Sequence, residues 1–164
     1  MSKNYAIING KRIELTDEQV KALRVETRKN PFERVAMGDE YYTITGYDNT
    51  VKFTEDRNGA DQNLYDAGNY FNDEQFAKQV ALHQLLYRKL LKFAYDNEFE
   101  DTAEWNCVNQ HWHIIYDKVS DKFITMNKLA SKESSVYFST EEGANRAIEE
   151  VVRPFMKEHQ DFVW

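Results

Sequence analysis

The amino-acid sequence predicts an α+β fold in which antiparallel β meanders pack on a long central helix, with an N-terminal hairpin and a C-terminal helix. Three observations predict it. A long stretch with apolar residues at helical spacing occupies positions 73–97. Groups of short β-prone runs lie on either side of it, at 32–55 and 111–139. Turn-forming residues separate the runs within each group, which indicates meanders.

The N-terminal region predicts a hairpin followed by a short helix. Two β-prone runs flank Asn9-Gly10 in "YAIINGKRIEL", and both turn residues tolerate positive φ. Thr16 then precedes "DEQVKALRVETRKN", which has acids in its first turn and bases at its end, so we expect a capped helix over 17–30. We interpret residues 1–164 as a single domain, in which 1–30 could be a semi-independent appendage.

The next segment predicts three strands and then a loop. Alternating residues with turn chemistry between them place strands near 32–37, 40–46 and 50–55. Residues 56–72 are rich in Gly, Asn and Asp and have no regular period. We therefore predict a long loop there, of the kind that is often functional in compact domains.

The central helix is predicted over residues 73–97, capped by Asn72 or Asp73. Two apolar stripes run along it, so the helix should be contacted on two sides and lie at the centre of the fold. The stripes comprise Phe76, Val80, Tyr87, Leu91 and Ala94 in one, and Leu82, Leu86, Leu90 and Phe93 in the other.

A second meander is predicted from three further β-prone runs, at 111–117, 122–127 and 134–139. A helix should follow over 141–153, capped by Ser139 or Thr140, until a proline interrupts its hydrogen-bond ladder.

The C-terminal tail begins with that proline, Pro154. We expect another turn of helix there, followed by packing of Phe162 and Trp164.

Composition limits the class of protein. Hydrophobic residues make up 41%, aromatic residues 14% and charged residues 30% of the chain, as is typical of a folded globular domain. The formal net charge of -7 disfavours direct binding to DNA or RNA, since that affinity comes from cationic groups. The single cysteine excludes an internal disulfide, and "MSKNYAIINGKR" lacks the apolar segment of a signal peptide. We expect a cytoplasmic protein that does not bind membranes.

His111 and His113 are the residues that most resemble a metal site. Side chains two positions apart on a strand share a face, so the pair could offer two imidazoles to one ion. Trp112, Ile114 and Tyr116 then form the core-facing set, which places the histidines on the more exposed side of an antiparallel sheet. No third ligand converges on them, because Cys107 lies four residues upstream, before the predicted strand starts, and His83 and His159 are remote in sequence. We predict ordinary sheet residues, no bound metal and no cofactor.

Catalytic motifs are absent from the sequence. It has no phosphate loop, dinucleotide fingerprint, nucleophile elbow or HExxH helix. We therefore predict a non-enzymatic protein with no catalytic residues. A metal-dependent hydrolase or nuclease that uses His111 and His113 is the alternative from a different class.

Acidic and aromatic residues predict a protein-binding surface. The segment 96–104 holds five acids and no base, and such a group could oppose a basic groove on another protein in place of nucleic-acid phosphates. The loop 56–72 supplies a second patch of acids and tyrosines, and tyrosine offers interfaces a large rigid contact area. The predicted partner-binding residues are Asp96, Glu98, Glu100, Asp101 and Glu104 in the first group and Asp61, Tyr65, Asp66 and Tyr70 in the second.

Several stretches distributed along nearly the whole chain carry a resemblance to a known group. They are "NGKRIELTDEQVKAL", "NPFERVAMGDEYY", "GNYF" and "VYFSTEEGANRAIEEVVRPFMKEHQDFVW". In these stretches the chain resembles small accessory proteins carried by phages and other mobile elements of Gram-positive bacteria. The group supplies no catalytic motif that could be transferred to particular residues.

The resemblance implies that the protein acts during infection of a bacterial host. Some accessory proteins of this kind look like inhibitors of host defence, including anti-CRISPR proteins that block the basic nucleic-acid channel of a type II effector nuclease. We therefore expect a viral inhibitor that acts in the host cytoplasm on a host protein with a basic nucleic-acid-binding surface, such as that nuclease. A phage structural or assembly factor is a further alternative, for which self-association would be the first sign.

Overall fold

The computed structural model describes residues 5–8, 11–16, 18–19, 30–97, 99 and 105–164, and these combine helices with antiparallel strands in an α+β arrangement. The described strands form hairpins of β1 (Tyr5–Ile8) with β2 (Lys11–Glu14), β3 (Glu40–Thr45) with β4 (Asn49–Thr54), and β5 (His111–Asp117) with β6 (Lys122–Lys128). The described helical segments are α1 (Gly59–Asp66), α2 (Glu74–Asp96), α3 (Glu141–Ala147), a π-helical segment (Ile148–Val152) and α4 (Arg153–Glu158).

The N-terminal hairpin is confirmed by the pairing of β1 with β2, although its predicted Asn9-Gly10 turn lies outside the described residues. Thr16 is confirmed as a helix cap. Its Oγ1 accepts the Gln19 N–H at 3.2 Å, and the Gln19 side chain accepts the Thr16 N–H at 2.9 Å. This reciprocal pair is a capping box. Most of the predicted helix over 17–30 lies outside the described residues.

The first predicted meander is a hairpin, because residues 32–37 are not a strand. The side-chain amide of Asn72 donates to the carbonyls of Asn30 and Glu33, both at 2.9 Å. The Asn72 N–H also donates to the Pro31 carbonyl. These bonds hold residues 30–33 in turns against the start of α2, and the second edge of β3 is bridged by Phe71 instead.

The predicted loop 56–72 contains the helix α1, which the absence of a hydrophobic period concealed. The Asn58 side chain caps it by accepting the N–H groups of Ala60 and Asp61 at 2.8 and 3.0 Å. The Asp61 carboxylate in turn accepts the Asn58 N–H at 3.2 Å. Asn58 and Asp61 form a capping box that is visible in the sequence as Asn-x-x-Asp.

The long helix α2 is confirmed over Glu74–Asp96, one residue inside each predicted end. The Asp73 side chain caps it by accepting the Phe76 N–H at 2.9 Å. Elements in contact with α2 include β3, β4, α3 and the π-helical segment. The fully buried residues of α2 are Ala77, Ala81, Leu82, Leu86, Leu90 and Ala94.

The second predicted meander also differs from the structure. β5 and β6 form the expected hairpin, but the run 134–139 contributes only an antiparallel bridge between Phe138 and Trp112. The Trp112 N–H donates to the Phe138 carbonyl at 2.9 Å, and the Phe138 N–H donates to the Trp112 carbonyl at 2.7 Å. The third run therefore lies beside β5. In a meander it would lie beside β6.

The two long hairpins are followed by the same local arrangement. In each case a Tyr-Phe pair reaches the free edge of the first strand, the phenylalanine forms a single antiparallel bridge, and a capped helix begins a few residues later. The chain thus contains two similar hairpin-and-helix units, which the sequence did not reveal as a repeat. The matching residues are Tyr42, Tyr70, Phe71 and Asp73 in the first unit and Trp112, Tyr137, Phe138 and Thr140 in the second.

The C-terminal helix continues past the point at which Pro154 was predicted to interrupt it. Thr140 caps α3 by accepting the Gly143 N–H at 3.0 Å, as predicted. The backbone then widens into the π-helical segment, where the Arg153 N–H donates to the Ile148 carbonyl. Pro154 occupies the first turn of α4, a position that does not require its missing N–H.

The main hydrophobic core unites α2 with the second unit and the C-terminal helices. Phe162 is buried in this core, and Trp164 packs against it partly buried, as the sequence predicted. None of the described helices is both long enough and apolar enough to cross a membrane. The largest buried side chains of this core belong to Leu82, Leu86, Leu90, Phe99, Ile114, Tyr137, Phe138, Ile148, Phe155 and Phe162.

A buried carboxylate network stabilises the first unit around Glu55, whose side chain is 0% exposed. The Arg34 guanidinium donates to both Glu55 oxygens at 3.0 Å, and the Tyr70 hydroxyl donates to one of them at 2.7 Å. The Arg57 N–H supplies a further bond at 2.9 Å. The Arg34 hydrogen bonds are the largest cause that lowers the pKa of Glu55, to about 2.

Replacement of this carboxylate tests its contribution to stability. We expect Glu55→Gln to lose about 3 kcal/mol of unfolding free energy at neutral pH, because it leaves a largely buried guanidinium without its counter-charge. The Glu55 pKa falls from its ordinary value of 4.5 to about 2 on folding. The advantage of the wild type is therefore complete above pH 4.5 and is lost as the pH falls towards 2. Urea denaturation at several pH values measures both effects.

The matched control is Glu40→Gln, which removes the exposed partner of Lys52 on the same hairpin. We expect no measurable loss of stability, because exposed ion pairs contribute little. A Glu55→Gln protein as stable as the wild type at neutral pH would show that the network does not hold the first unit together.

Candidate functional site

The predicted acidic segment begins at the C-terminal end of α2. Asp96 is exposed there and forms an ion pair with Lys92 one turn earlier. The other members of this group, Glu98, Glu100, Asp101 and Glu104, lie outside the described residues. The structure therefore positions the start of the segment.

Four exposed glutamates extend the acidic region on the C-terminal helix. They occur as two pairs separated by about two helical turns, a spacing that brings side chains to one face. These glutamates are not among the predicted binding residues, although "EEGANRAIEE" displays this spacing. We name this set the acidic surface, and it consists of Asp96, Glu141, Glu142, Glu149 and Glu150.

Arg146 connects the two parts of the acidic surface. Its guanidinium donates to the Asn97 side chain at 3.1 Å and to the Glu150 carboxylate at 3.0 Å. It also lies 5.6 Å from the centre of the Phe93 ring. Because Asn97 directly follows Asp96, these contacts link the start of the acidic segment through Arg146 to Glu150.

The charge of this surface is partly neutralised. Arg146 pairs with Glu150 at 3.0 Å, and Arg153 pairs with Glu149 at 2.8 Å, both one helical turn apart. Glu141 and Glu142 form no ion pair within the described part of the chain. A shallow groove of about 460 Å³ is lined by these two residues, Asn145, Arg146, Glu149 and Glu150. The surface thus offers exposed carboxylates around one arginine.

The second predicted patch is divided between surface and interior. Tyr65 and Asp66 are exposed on α1. Asp61 and Tyr70 are buried, at 4% and 1% exposure, and their side chains are bound within the first unit. Asp61 accepts the Tyr41 hydroxyl at 2.8 Å, which is the largest cause that lowers its pKa. The expectation that these two residues contact a partner is therefore corrected to a structural role.

The histidine pair lies in the interior, contrary to the prediction of an exposed face. His111 and His113 are only 3% and 4% exposed. The Trp105 ring stacks on His111 with centroids 3.8 Å apart, and the Tyr137 ring lies 5.5 Å from that of His113. The alternation of β5 correctly placed both histidines on one face. It could not show that a second layer of aromatic rings covers that face.

The hydrogen bonding of the two buried imidazoles is incomplete within the described residues. Among the described residues, both ring nitrogens of His111 and the Nε2 of His113 have none. Burial also lowers the pKa of His113, because a charged imidazole is poorly solvated there. No cluster of three or more His, Cys, Asp or Glu side chains suited to a metal occurs within the described ranges. The metal-dependent alternative stays a prediction.

Comparison with protein-family models, with curated proteins and with solved structures finds no match to this chain.

Burial of His113 predicts acid sensitivity. In the unfolded chain its pKa is near the ordinary value of 6.5, whereas in the folded protein it is lower. The unfolded state therefore takes up a proton first, and stability falls as the pH drops below 6.5, by up to about 1.4 kcal/mol per pH unit. We expect His113→Leu to reduce this slope, measured by urea denaturation across the same pH range.

The matched control is His83→Leu on α2, which removes an exposed imidazole and leaves the buried pair intact. It should retain the slope of the wild type. If His113→Leu and the wild type show the same slope, the acid sensitivity does not arise at His113.

Proposed function

We propose that this protein is a non-enzymatic inhibitor, encoded by a phage or mobile element, that binds a host defence protein in the host cytoplasm. Its acidic surface would oppose a basic groove that normally holds nucleic acid, as in a type II CRISPR effector nuclease. The observation that carries the proposal is the contact of Arg146 with both Asn97 and Glu150, because Asn97 lies where the acidic sequence 96–104 begins and Glu150 is one of the exposed glutamates.

Electrostatic complementarity supports this mode of binding. Exposed carboxylates attract a basic groove over a distance set by the Debye length and accelerate association. They also disfavour direct contact with nucleic acid, since both carry negative charge. The net charge of -7, the acidic surface and the acidic segment 96–104 thus favour a partner whose binding surface is positive.

The position of the histidines weighs against the hydrolytic alternative. A catalytic metal needs an open coordination position that substrate or water can reach. His111 and His113 instead lie beneath the rings of Trp105 and Tyr137. No comparable observation favours a phage assembly factor, and self-association in solution is the measurement that would support it.

Charge reversal tests the acidic surface and, separately, the acidic segment 96–104. We expect Glu141→Lys with Glu142→Lys, and separately the triple change Glu98→Lys, Glu100→Lys and Asp101→Lys, to weaken binding to a guide-loaded type II effector nuclease at least tenfold. Each replaces attraction by repulsion at a basic groove. The salt dependence of the affinity should also become shallower. Biolayer interferometry across a range of salt concentrations measures both quantities.

A control with a comparable charge change is Glu33→Lys with Asp39→Lys, two exposed acids outside the acidic surface. This variant should bind like the wild type. Equal loss in all three variants would indicate an effect of net charge alone. Absence of binding by the wild type, with self-association in its place, would favour the assembly factor.

A further inference from the structure

A pocket of about 340 Å³ lies between the two hairpin-and-helix units. One wall is formed by α2 of the first unit, and the facing wall by β5 and the 134–138 segment of the second. Trp164, the last residue, completes the lining. Ligand sites favour concave places at which separately formed units meet, and this volume is within the range of small-molecule sites.

The deep part of the pocket is apolar. Its side chains are buried in the main core, and their exposed fractions are all below 9%. They come from three separate elements, so the surface is set by core packing and does not depend on a mobile loop. These residues are Leu86 and Leu90 from α2, Ile114 from β5, and Val136 and Phe138 from the segment beside β5.

Polar groups line the remainder of the pocket. They are the His83 imidazole, the Tyr87 hydroxyl and the hydroxyls of Ser134 and Ser135. Within the described part of the chain, His83, Tyr87 and Ser134 form no side-chain hydrogen bond. These groups are therefore available to a ligand. None of the described residues that line the pocket is Asp, Glu, Lys or Arg.

We propose that this pocket binds a small uncharged amphipathic molecule, with an aromatic or aliphatic body and one hydrogen-bonding head. The body would displace water from the leucine, isoleucine and valine side chains. The head would bond to Ser134, Tyr87 or His83. An ionic head is disfavoured, because it would lose hydration without gaining an opposite charge from the lining. This site is independent of the acidic surface.

A pair of probes with the same ring system tests both the site and the charge preference. The first is 1-naphthol, which is uncharged at neutral pH, and the second is 1-naphthalenesulfonate. Titration is followed by the methyl NMR signals of the full-length protein. With 1-naphthol, we expect saturable shifts at Leu86, Leu90, Ile114 and Val136, and intermolecular contacts between the naphthol ring and these methyl groups. The sulfonate should bind at least tenfold more weakly.

A variant that blocks the mouth of the pocket tests whether 1-naphthol binds there. Ser134 is exposed at the lining, so Ser134→Trp should fill the opening with little effect on the core and weaken 1-naphthol binding at least tenfold. Ser131→Trp is the matched control, because Ser131 is exposed on the same connection but does not line the pocket. It should leave the affinity unchanged.

Three results would overturn the proposal. They are methyl shifts that increase linearly without saturation, equal affinity for the two probes, and unchanged 1-naphthol binding by Ser134→Trp. The intermolecular contacts are measured on the wild type, so the site remains testable even if that variant does not fold.

Discussion

Burial of the apolar side of α2, from Ala77 to Ala94, is the constraint on which the rest of the structure depends. A helix of 23 residues cannot hide its apolar side chains by itself, and packing of an amphipathic face supplies most helix stability in proteins. The hairpin β3–β4 contacts this helix, and so do α3 and the π-helical segment. Ala77 and Ala81 of α2 are fully buried, and their small side chains permit neighbouring elements to pack closely against the helix. The two units are thereby assembled around one element.

The same chemical group has opposite roles in different parts of the molecule. The Glu55 carboxylate is enclosed and accepts bonds from Arg34, Tyr70 and the Arg57 backbone, so it stabilises the first unit from within. The carboxylates of Glu141 and Glu142 are exposed and contribute to the field outside the protein. Burial and available donors, and not residue type, decide whether an acid is structural or available to a partner.

The two similar units differ in how fully their buried polar groups are satisfied. In the first unit, Tyr70 stacks on Tyr41 with centroids 4.0 Å apart, and both hydroxyls donate to carboxylates. In the second, Tyr137 packs against His111 and His113, and three of their four ring nitrogens lack hydrogen-bond partners among the described residues. Unpaired buried polar groups reduce stability. Protonation therefore affects the stability of the second unit below pH 6.5 through His113, and that of the first unit below pH 4.5 through Glu55.

The sequence by itself determined those helices and hairpins whose signals lie within the element, such as apolar periodicity, caps and turn residues. The helix over 73–97 was predictable from its apolar stripes and its cap, and the hairpins were predictable from alternation and turn residues. The helix α1 was missed because it has few apolar residues, although the Asn58 and Asp61 capping box marks its start. The strand predicted at 32–37 failed because Asn72, remote in sequence, binds that segment in turns.

The candidate sites depended more strongly on tertiary structure. The sequence identified an acidic segment at 96–104 and placed both histidines on one strand face. Only the fold set Asn97 beside Arg146, enclosed Asp61 and Tyr70, and covered the histidines with aromatic rings. The physical reason is that periodicity records which side chains share a face, whereas burial depends on what a distant part of the chain brings against that face.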